Sequence, residues 1–571
     1  MASIITLNAD QQHVSDRITA ALEAPGASML LLKGFAGTGK TSTLMSALAK
    51  RRDVLFLTPS HASKRVILDA APTADVMTLH AALGAQRVVD RRSGYVCFRP
   101  EGAGRIPELL ARKSVIVLDE CSMVGGGWFE HLLNVLGLLD KTGARYLEPR
   151  FAYVQANSDE LSRVTELLYG RGLDPQDVLK DPSTARRIVG RPQQKRLDGT
   201  TLIHFSWRVE GGRKPIKLIV MGDPAQLPPV TGEALPGDHP AWSIDPDRAW
   251  ALREGFTRRT TSREGGDVLD VELDRSPSFN AALYDEVLEL RKIMRAASDD
   301  LERANLLARS GVERGAPHRL TEASARVELV KQDDIIERAV ELYRRQEDVV
   351  CVCWRNRTKN SLASAIRRAL LGEHLPTDSL HPGEPIAFSA PYQAINGTQR
   401  FDNGDLAYIV SREGGFYANP TFPELSTPYF AHLVRIASRP DEFATIWFIT
   451  AQQRRALQDL IDKRRDAFMH DIDLLELEAA RPSTSKARRV EIIDVINALK
   501  ARVDALYSAL DSFALVESSY TRTAHKAQGG SWHTVIYHQS DVLFNRRKLD
   551  AAKMAYVAIS RARQRLIVVT P

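Results

Sequence analysis

The stretch MLLLKGFAGTGKTSTLMSALAK, residues 29–50, sets an apolar run against a glycine-rich turn and then a helix-forming segment. GFAGTGKT at 34–41 has the composition of a phosphate-binding loop in the context such a loop needs. Gly34, Ala36, Gly37, Thr38 and Gly39 let backbone N–H groups close around phosphate oxygens. Lys40 can reach the β- and γ-phosphates, and the Thr41 hydroxyl can hold Mg²⁺.

Other strand-like runs repeat the arrangement. VLFLT (54–58), SVIVLD (114–119) and KLIVMGD (217–223) each lead into a polar or glycine-rich loop, the alternation of an α/β chain with parallel strands. Open parallel sheets bind ligands at the carboxyl ends of their strands. VIVLDE places two carboxylates there, Asp119 for a metal ion and Glu120 for polarising an attacking water. Strands ending in Asp-Glu are also common as plain structure, and the phosphate-binding loop favours the catalytic reading. GDPAQLPPV (222–230) presents one Gln between rigid prolines, suited to sensing a γ-phosphate and passing its state to a neighbouring surface. A second set of strands, DVVCVCW (348–354), VIYH (535–538) and RLIVVT (565–570), implies two nucleotide-fold domains in tandem.

At 571 residues the chain is long enough for several cores. With 44% hydrophobic and 26% charged residues it has the composition of a soluble protein. No apolar run reaches the roughly 18 residues of a spanning helix, and MASIITLNADQQHV lacks a basic-then-apolar leader. A cytoplasmic protein with no membrane partner is expected. Cys97, Cys121, Cys351 and Cys353 are too few and scattered for a disulfide framework or a zinc site. The net charge of +6 permits a polyanionic partner without requiring one.

GFAGTGKT, TPSHAS (58–63), TLHAAL (78–83), VLDECSMV (117–124), GDPAQLPP, TAHKAQGGSW (523–532) and YVAISRARQRL (556–566) resemble, in order and wording, the motifs of superfamily 1 helicases of the RecD-like and Dda-like branch. The resemblance covers both motor domains and implies an α/β fold of two tandem RecA-like P-loop NTPase domains, with ATP and Mg²⁺ as cofactors. It implies that Gln11 reads the adenine, that Gln226 senses the γ-phosphate and that Arg561 is an arginine finger. Arg291 becomes a second phosphate arginine, with Arg295 as the alternative register. Gly529 joins the nucleotide contacts, although Ser531 stands where many relatives carry a Glu. Ser60, His61, His80, Thr523, His525 and Lys526 fall where such helicases meet DNA, as polar groups that grip phosphates without reading sequence.

Residues 1–270 are expected to form the first motor domain, with a β-hairpin at about 85–107 and a basic insertion at about 142–213 that holds Arg186, Arg187, Arg191, Lys195 and Arg196. Residues 271–382 and 513–571 form the second. DNGDLAYIV (402–410) resembles the entry to an SH3-like insertion, 383–512. Its segment 451–512 breaks at RPSTSKARR and carries Ile492, Ile496, Leu499, Val503, Leu506 and Leu510 as a heptad seam, so two antiparallel helices form an arm. The hairpin stands where these helicases carry a separation pin. Tyr95 and Phe98 are candidates to stack on the first base pair, although their alternation with Val96 also suits a hairpin that buries one face. The expected activity is ATP-dependent 5′-to-3′ translocation on single-stranded DNA and unwinding of forked DNA. The implied setting is phage or bacterial replication, recombination or repair, with a single-strand-binding, replication or recombination protein as candidate partner. The rival readings are a RecD-like motor subunit of a larger complex and a DNA-binding ATPase switch that does not unwind.

Overall fold

In the computed structural model, the described residues are 7–89, 91, 96–100, 106, 109, 112–138, 153–156, 193–197, 200–208, 216–228, 256–263, 266–273, 276–294, 298–372, 379–395 and 399–570. Tyr95, Arg186, Arg187, Arg191 and Arg295 lie outside them, as do the side chains of Phe98, Lys195 and Arg196.

Two parallel sheets carry the molecule. The first has six strands in the order Glu286–Leu290, Ser28–Gly34, Lys217–Gly222, Val115–Leu118, Val54–Thr58, Val76–Thr78. Its central strands are buried on both faces, which is why they read as continuous apolar runs. Successive side chains point to opposite faces, so Met29 and Leu31 join one core while Leu30 and Leu32 join the other. The second sheet runs Val327–Lys331, Ala562–Thr570, Trp532–Tyr537, Val349–Cys353, Thr521–Thr523, all parallel. Cys351 and Cys353 are free thiols inside it. Burial pushes Cys353 up to about 12, so neither a metal nor a disulfide role is indicated for it.

One boundary needs correction. Glu286–Leu290, which the sequence boundary at 270/271 gives to the second motor domain, pairs with Ser28–Gly34 as the edge strand of the first sheet. Its alternating pattern of buried Leu288 and Leu290 with exposed neighbours is that of an edge strand covered on one face, and a chain reading of periodicity does not say which sheet it joins.

Between the two halves of the second motor domain stands a five-stranded antiparallel sheet, ordered Arg439–Phe448, Thr427–Ile436, Leu406–Tyr417, Pro385–Phe388, Val516–Ser518. Its last strand lies four residues past the expected end at 512. From it project helices Ala451–Ala480 and Lys486–Asp511. At about 1.5 Å per residue they reach about 45 and 39 Å. Ile492, Ile496, Val503 and Leu506 are buried along the seam, while Leu499 and Leu510 pack at its margin. Thr450 and Gln453 form a capping box that starts the first helix. Ala85–Val89 and Val96–Pro100 pair antiparallel as a hairpin, and Arg91 at its turn forms a two-pronged ion pair with Asp504 of the arm, at 2.9 and 2.7 Å.

Phe388 sits in the core of the antiparallel sheet, 1% exposed, stacked on Phe401 at 4.1 Å between ring centres. Phe388→Ala should cost this module about 3–5 kcal/mol through lost burial and a residual cavity. Hydrogen–deuterium exchange should then rise across 385–448 while strand 28–34 stays protected.

Candidate active site at the junction of the motor domains

The carboxyl ends of the first sheet's strands deliver the expected groups to one cleft. Strand 28–34 runs into the loop and then helix Lys40–Leu48, whose start is set by Gly39 at φ +79. Only glycine suits that position twice over, because a Cβ there would lie 2.5 Å from the Gln11 amide nitrogen. Gln11 is buried and donates to the Thr38 carbonyl at 3.0 Å, so it braces the loop from behind. The Lys40 ammonium folds onto the loop's own carbonyls, Gly34 at 2.8 Å and Phe35 at 3.1 Å.

A cavity of about 680 Å³ opens over this loop and is lined by Lys40, Thr41, Asp119, Glu120, Gln226 and Arg561. The Asp119 carboxylate accepts the Glu120 N–H at 2.7 Å. Burial, and then the charge of Glu120, push its pKa up to about 7. Glu120 adopts φ +49, a left-handed backbone that non-glycine residues rarely take. One of its carboxylate oxygens is buried with no hydrogen-bond partner. Strain and an unsatisfied oxygen at one residue mark a group held ready for something outside the protein.

Arg561 comes from the second motor domain and is 2% exposed. It donates hydrogen bonds to neutral oxygens, the Val557 carbonyl at 3.1 Å, the Ser560 hydroxyl and the Gly530 carbonyl at 3.3 Å. Burial lowers its pKa and the Glu120 charge partly offsets this. A buried guanidinium beside the phosphate-binding loop is poised for an anion.

Other expected residues stand elsewhere. Arg291 is 75% exposed, pairs with Glu289 at 3.0 Å and does not line the cavity. Its own segment crosses the loop through backbone, with Met294 N–H donating to the Gly37 carbonyl at 2.8 Å. Gly529 packs away from the cavity, where a Cβ would lie 3.2 Å from the Ser63 hydroxyl and 3.9 Å from that of Ser60. Ser60 caps helix His61–Ala70, and Thr523 caps the short turn Ala524–Ala527. His61 Nδ1 lies 2.7 Å from Asp402 of the antiparallel sheet's entry loop. His80 meets the Trp128 ring edge-on at 4.5 Å, and burial holds both it and His525 below the usual histidine range. Lys526 pairs with Glu517 at 2.5 Å.

The cleft also holds groups that the sequence reading passes over. The Gln528 amide donates to the Gln226 side-chain oxygen at 3.2 Å and approaches the Ser122 hydroxyl and the Leu227 carbonyl, each at 3.4 Å. Asp223, Arg309 and Tyr556 meet beside the loop. Gln528, Asp223 and Tyr556 lie within quoted motifs, and that was their only signal. Arg309 has none.

Residues 6–146 match the family model described as an AAA domain, and residues 518–569 match that of a UvrD-like helicase C-terminal domain. The matches fall one in each of the two domains built on parallel sheets, and the cleft between those domains gathers the groups that hydrolysis of ATP needs. Among curated proteins, an uncharacterized protein of Acanthamoeba polyphaga mimivirus is 18% identical over 598 residues, covering 98% of this chain and 99% of its own. Among solved structures, one of two coordinating Pif1 helicases at forked double-stranded DNA is 13% identical with a TM-score of 0.44, covering 99% of this chain and 95% of that one. Bacteroides Pif1 bound to single-stranded DNA is 12% identical with a TM-score of 0.39 and the same coverage. Pif1 from Candida albicans is 15% identical with a TM-score of 0.34, covering 100% and 96%. Among the described residues, no helix is long and apolar enough to cross a membrane.

The raised pKa of Asp119 has a testable sign. The folded chain holds a proton up to about pH 7 that the unfolded chain releases near the ordinary value of 3.8. Stability contributed at this carboxyl is therefore present at low pH and lost as pH rises through about 7. In nucleotide-free, magnesium-free protein, Asp119→Asn should raise the thermal midpoint relative to the parent at pH 8, with the gap shrinking by pH 5. A constant gap would remove Asp119 as its source.

Proposed function

We propose that this helicase uses ATP to move 5′ to 3′ along single-stranded DNA and to separate forked duplexes, as a member of the RecD-like and Dda-like branch. The observation that carries the DNA reading is the contact of Gly529 with Ser60 and Ser63. It brings the TPSHAS and TAHKAQGG segments, one from each motor domain, into a single surface. Two grips on one strand, borne by domains that approach and separate, are what stepping requires. Polarity rests on the motif resemblance.

In the mechanism, Lys40 exchanges its carbonyl partners for phosphate oxygens and the loop N–H groups bind the rest. Asp119 and Thr41 would hold Mg²⁺; two adjacent carboxyls, one with an unpartnered buried oxygen, fit that ion, which would offset phosphate charge. Glu120 takes the proton of the attacking water, Gln226 contacts the γ-phosphate and Arg561 stabilises the transferring charge. The motif resemblance supports Gln11 as the group that reads the base. Gln226, bridged to Gln528, links the phosphate to the segment that carries Thr523, His525 and Lys526. Loss of the phosphate then changes the grip on DNA. Ser60, His61 and His80 serve the first domain's grip, and the hairpin is the separation pin. The SH3-like sheet with its arm is a further contact surface for DNA or for a replication or recombination protein, in a phage or bacterial setting.

Strand separation on partial duplexes tests this reading. Unwinding is expected with a 5′ tail and not with a 3′ tail, and Lys40→Ala should lower it by at least about 10²-fold. Turnover stimulated by single-stranded DNA without separation on either substrate would favour a translocase that needs a partner. Arg561→Ala should reduce kcat by about 10³-fold with nucleotide affinity little changed, measured by single-turnover hydrolysis. A matching rise in the nucleotide Kd would make Arg561 a binding group only.

A further inference from the structure

The phosphate-binding loop has a support that belongs to the other motor domain. Tyr556, 1% exposed on helix Lys548–Ile559, accepts the Ala36 N–H at 2.8 Å and donates to the Asp223 carboxylate at 2.6 Å. Asp223 has no exposed surface. Its other oxygen accepts the Ala225 N–H at 3.0 Å and the Arg309 guanidinium at 2.5 Å. Arg309 lies on helix Asp299–Glu313, which packs in the core of the second motor domain, and its guanidinium covers the Phe35 ring at 4.3 Å. Loop residues Phe35 and Ala36, on the shoulder before Gly37–Thr41, are thus held by two side chains that cross the cleft and meet on Asp223.

We propose that Tyr556, Asp223 and Arg309 are positioning residues that tie the shape of the phosphate-binding loop to closure of the cleft. Tyr556 has a single proton, and that proton goes to Asp223, so the phenol oxygen is left free to accept from Ala36. Burial, with the Asp223 charge next, pushes the phenol well above its ordinary range, and it keeps the proton across the working pH. Arg309 neutralises Asp223, and without it the carboxylate would be buried uncompensated. Separation of the domains withdraws both Tyr556 and Arg309. The Ala36 N–H and Asp223 then lose their partners together, and the loop loses its outer brace as the nucleotide leaves. Asp223 is adjacent to the segment that bears Gln226, so one carboxylate serves the loop, the phosphate sensor and the partner domain. None of the three residues lines the cavity. They act through Ala36 and Asp223, not on substrate.

The inference rests on the assignment of ATP hydrolysis to this cleft, and basal turnover without DNA separates the two. Tyr556→Phe keeps the ring and removes both hydrogen bonds. It should lower kcat about tenfold or more while the nucleotide KM and the Kd for ADP stay within about twofold. Arg309→Met should act in the same direction. In the double variant the losses should fall well short of multiplying, because both side chains work through Asp223. Arg309→Lys should recover part of the Arg309→Met loss. If Tyr556→Phe turns over within twofold of the parent, or the two losses multiply, the shared brace is wrong. An inactive parent protein would instead overturn the hydrolytic reading itself. Should Tyr556→Phe fail to fold, the Arg309→Met and Arg309→Lys pair carries the test through rescue of kcat.

Discussion

A carboxylate with no solvent contact is the constraint around which the junction of the two motor domains is arranged. In the interior the Ala225 N–H, the Tyr556 hydroxyl and the Arg309 guanidinium converge on Asp223. The first of these is local. The other two come from across the cleft, so the first domain cannot satisfy this group alone. Removing one partner from a buried charge typically costs about 3–5 kcal/mol, a large penalty beside the modest contribution of exposed ion pairs. Opening of the cleft therefore has to admit water to Asp223 as the side chains leave. The side chain of Arg309, 12% exposed, marks the rim through which that water enters. A junction of this kind favours two states, closed and hydrated-open, over a range of partial separations.

The hydrolytic groups occupy the same junction for a topological reason. Every strand of the first sheet runs in one direction, so every strand-to-loop exit falls on one edge. The loop after Gly34, the Asp119–Glu120 pair and the Asp223–Gln226 turn are neighbours because the strands before them are neighbours in the sheet. The second sheet presents its own edge through Thr523–Gly529. Its helix Lys548–Ile559 carries Tyr556 and ends just before Arg561. Placed together, the two edges meet at a cavity lined by the first domain, with Lys40 at its loop, and by Arg561 of the second.

This division also explains what could be read from the chain. The phosphate-binding loop is legible because all its parts lie within eight consecutive residues, and a glycine with φ +79 leaves a plain trace in sequence. Asp119 and Glu120 are legible as the end of an apolar strand. The brace is not, because its members lie 86 and 333 residues from Asp223, and Arg309 sits on an ordinary amphipathic helix with acidic residues in its first turn. Nothing local distinguishes it from a surface arginine. Arg291 shows the converse, a residue that a motif resemblance brings forward and that the fold leaves exposed beside Glu289. The sequence boundary at 270/271 cannot place strand Glu286–Leu290 because pairing is a long-range property, while the period of a strand is not. The helical arm leaves a local trace, a seam that repeats every seven residues, of which Ile492, Ile496, Val503 and Leu506 are buried.

How the antiparallel sheet is attached decides which domain it follows. To the second motor domain it is joined by the chain and by the Arg367–Glu384 pair, both side chains almost fully buried and 2.5 Å apart. Lys359 of that domain also pairs with Glu517, in the sheet's last strand. Its links to the first domain are lighter. Arg65, 38% exposed, meets Asp405 at 2.5 Å, and His61 approaches Asp402 from the same helix. Farther out, Arg91 of the hairpin meets Asp504 of the arm between two half-exposed side chains. Partly exposed pairs contribute roughly 0–1 kcal/mol each and form and break without large cost, whereas separating a buried pair is expensive. The sheet and its arm therefore travel with the second motor domain, and cleft motion is taken up at Arg65–Asp405, His61–Asp402 and Arg91–Asp504. The hairpin belongs to the first domain and the arm to the second, so opening of the cleft would strain the Arg91–Asp504 pair that joins them.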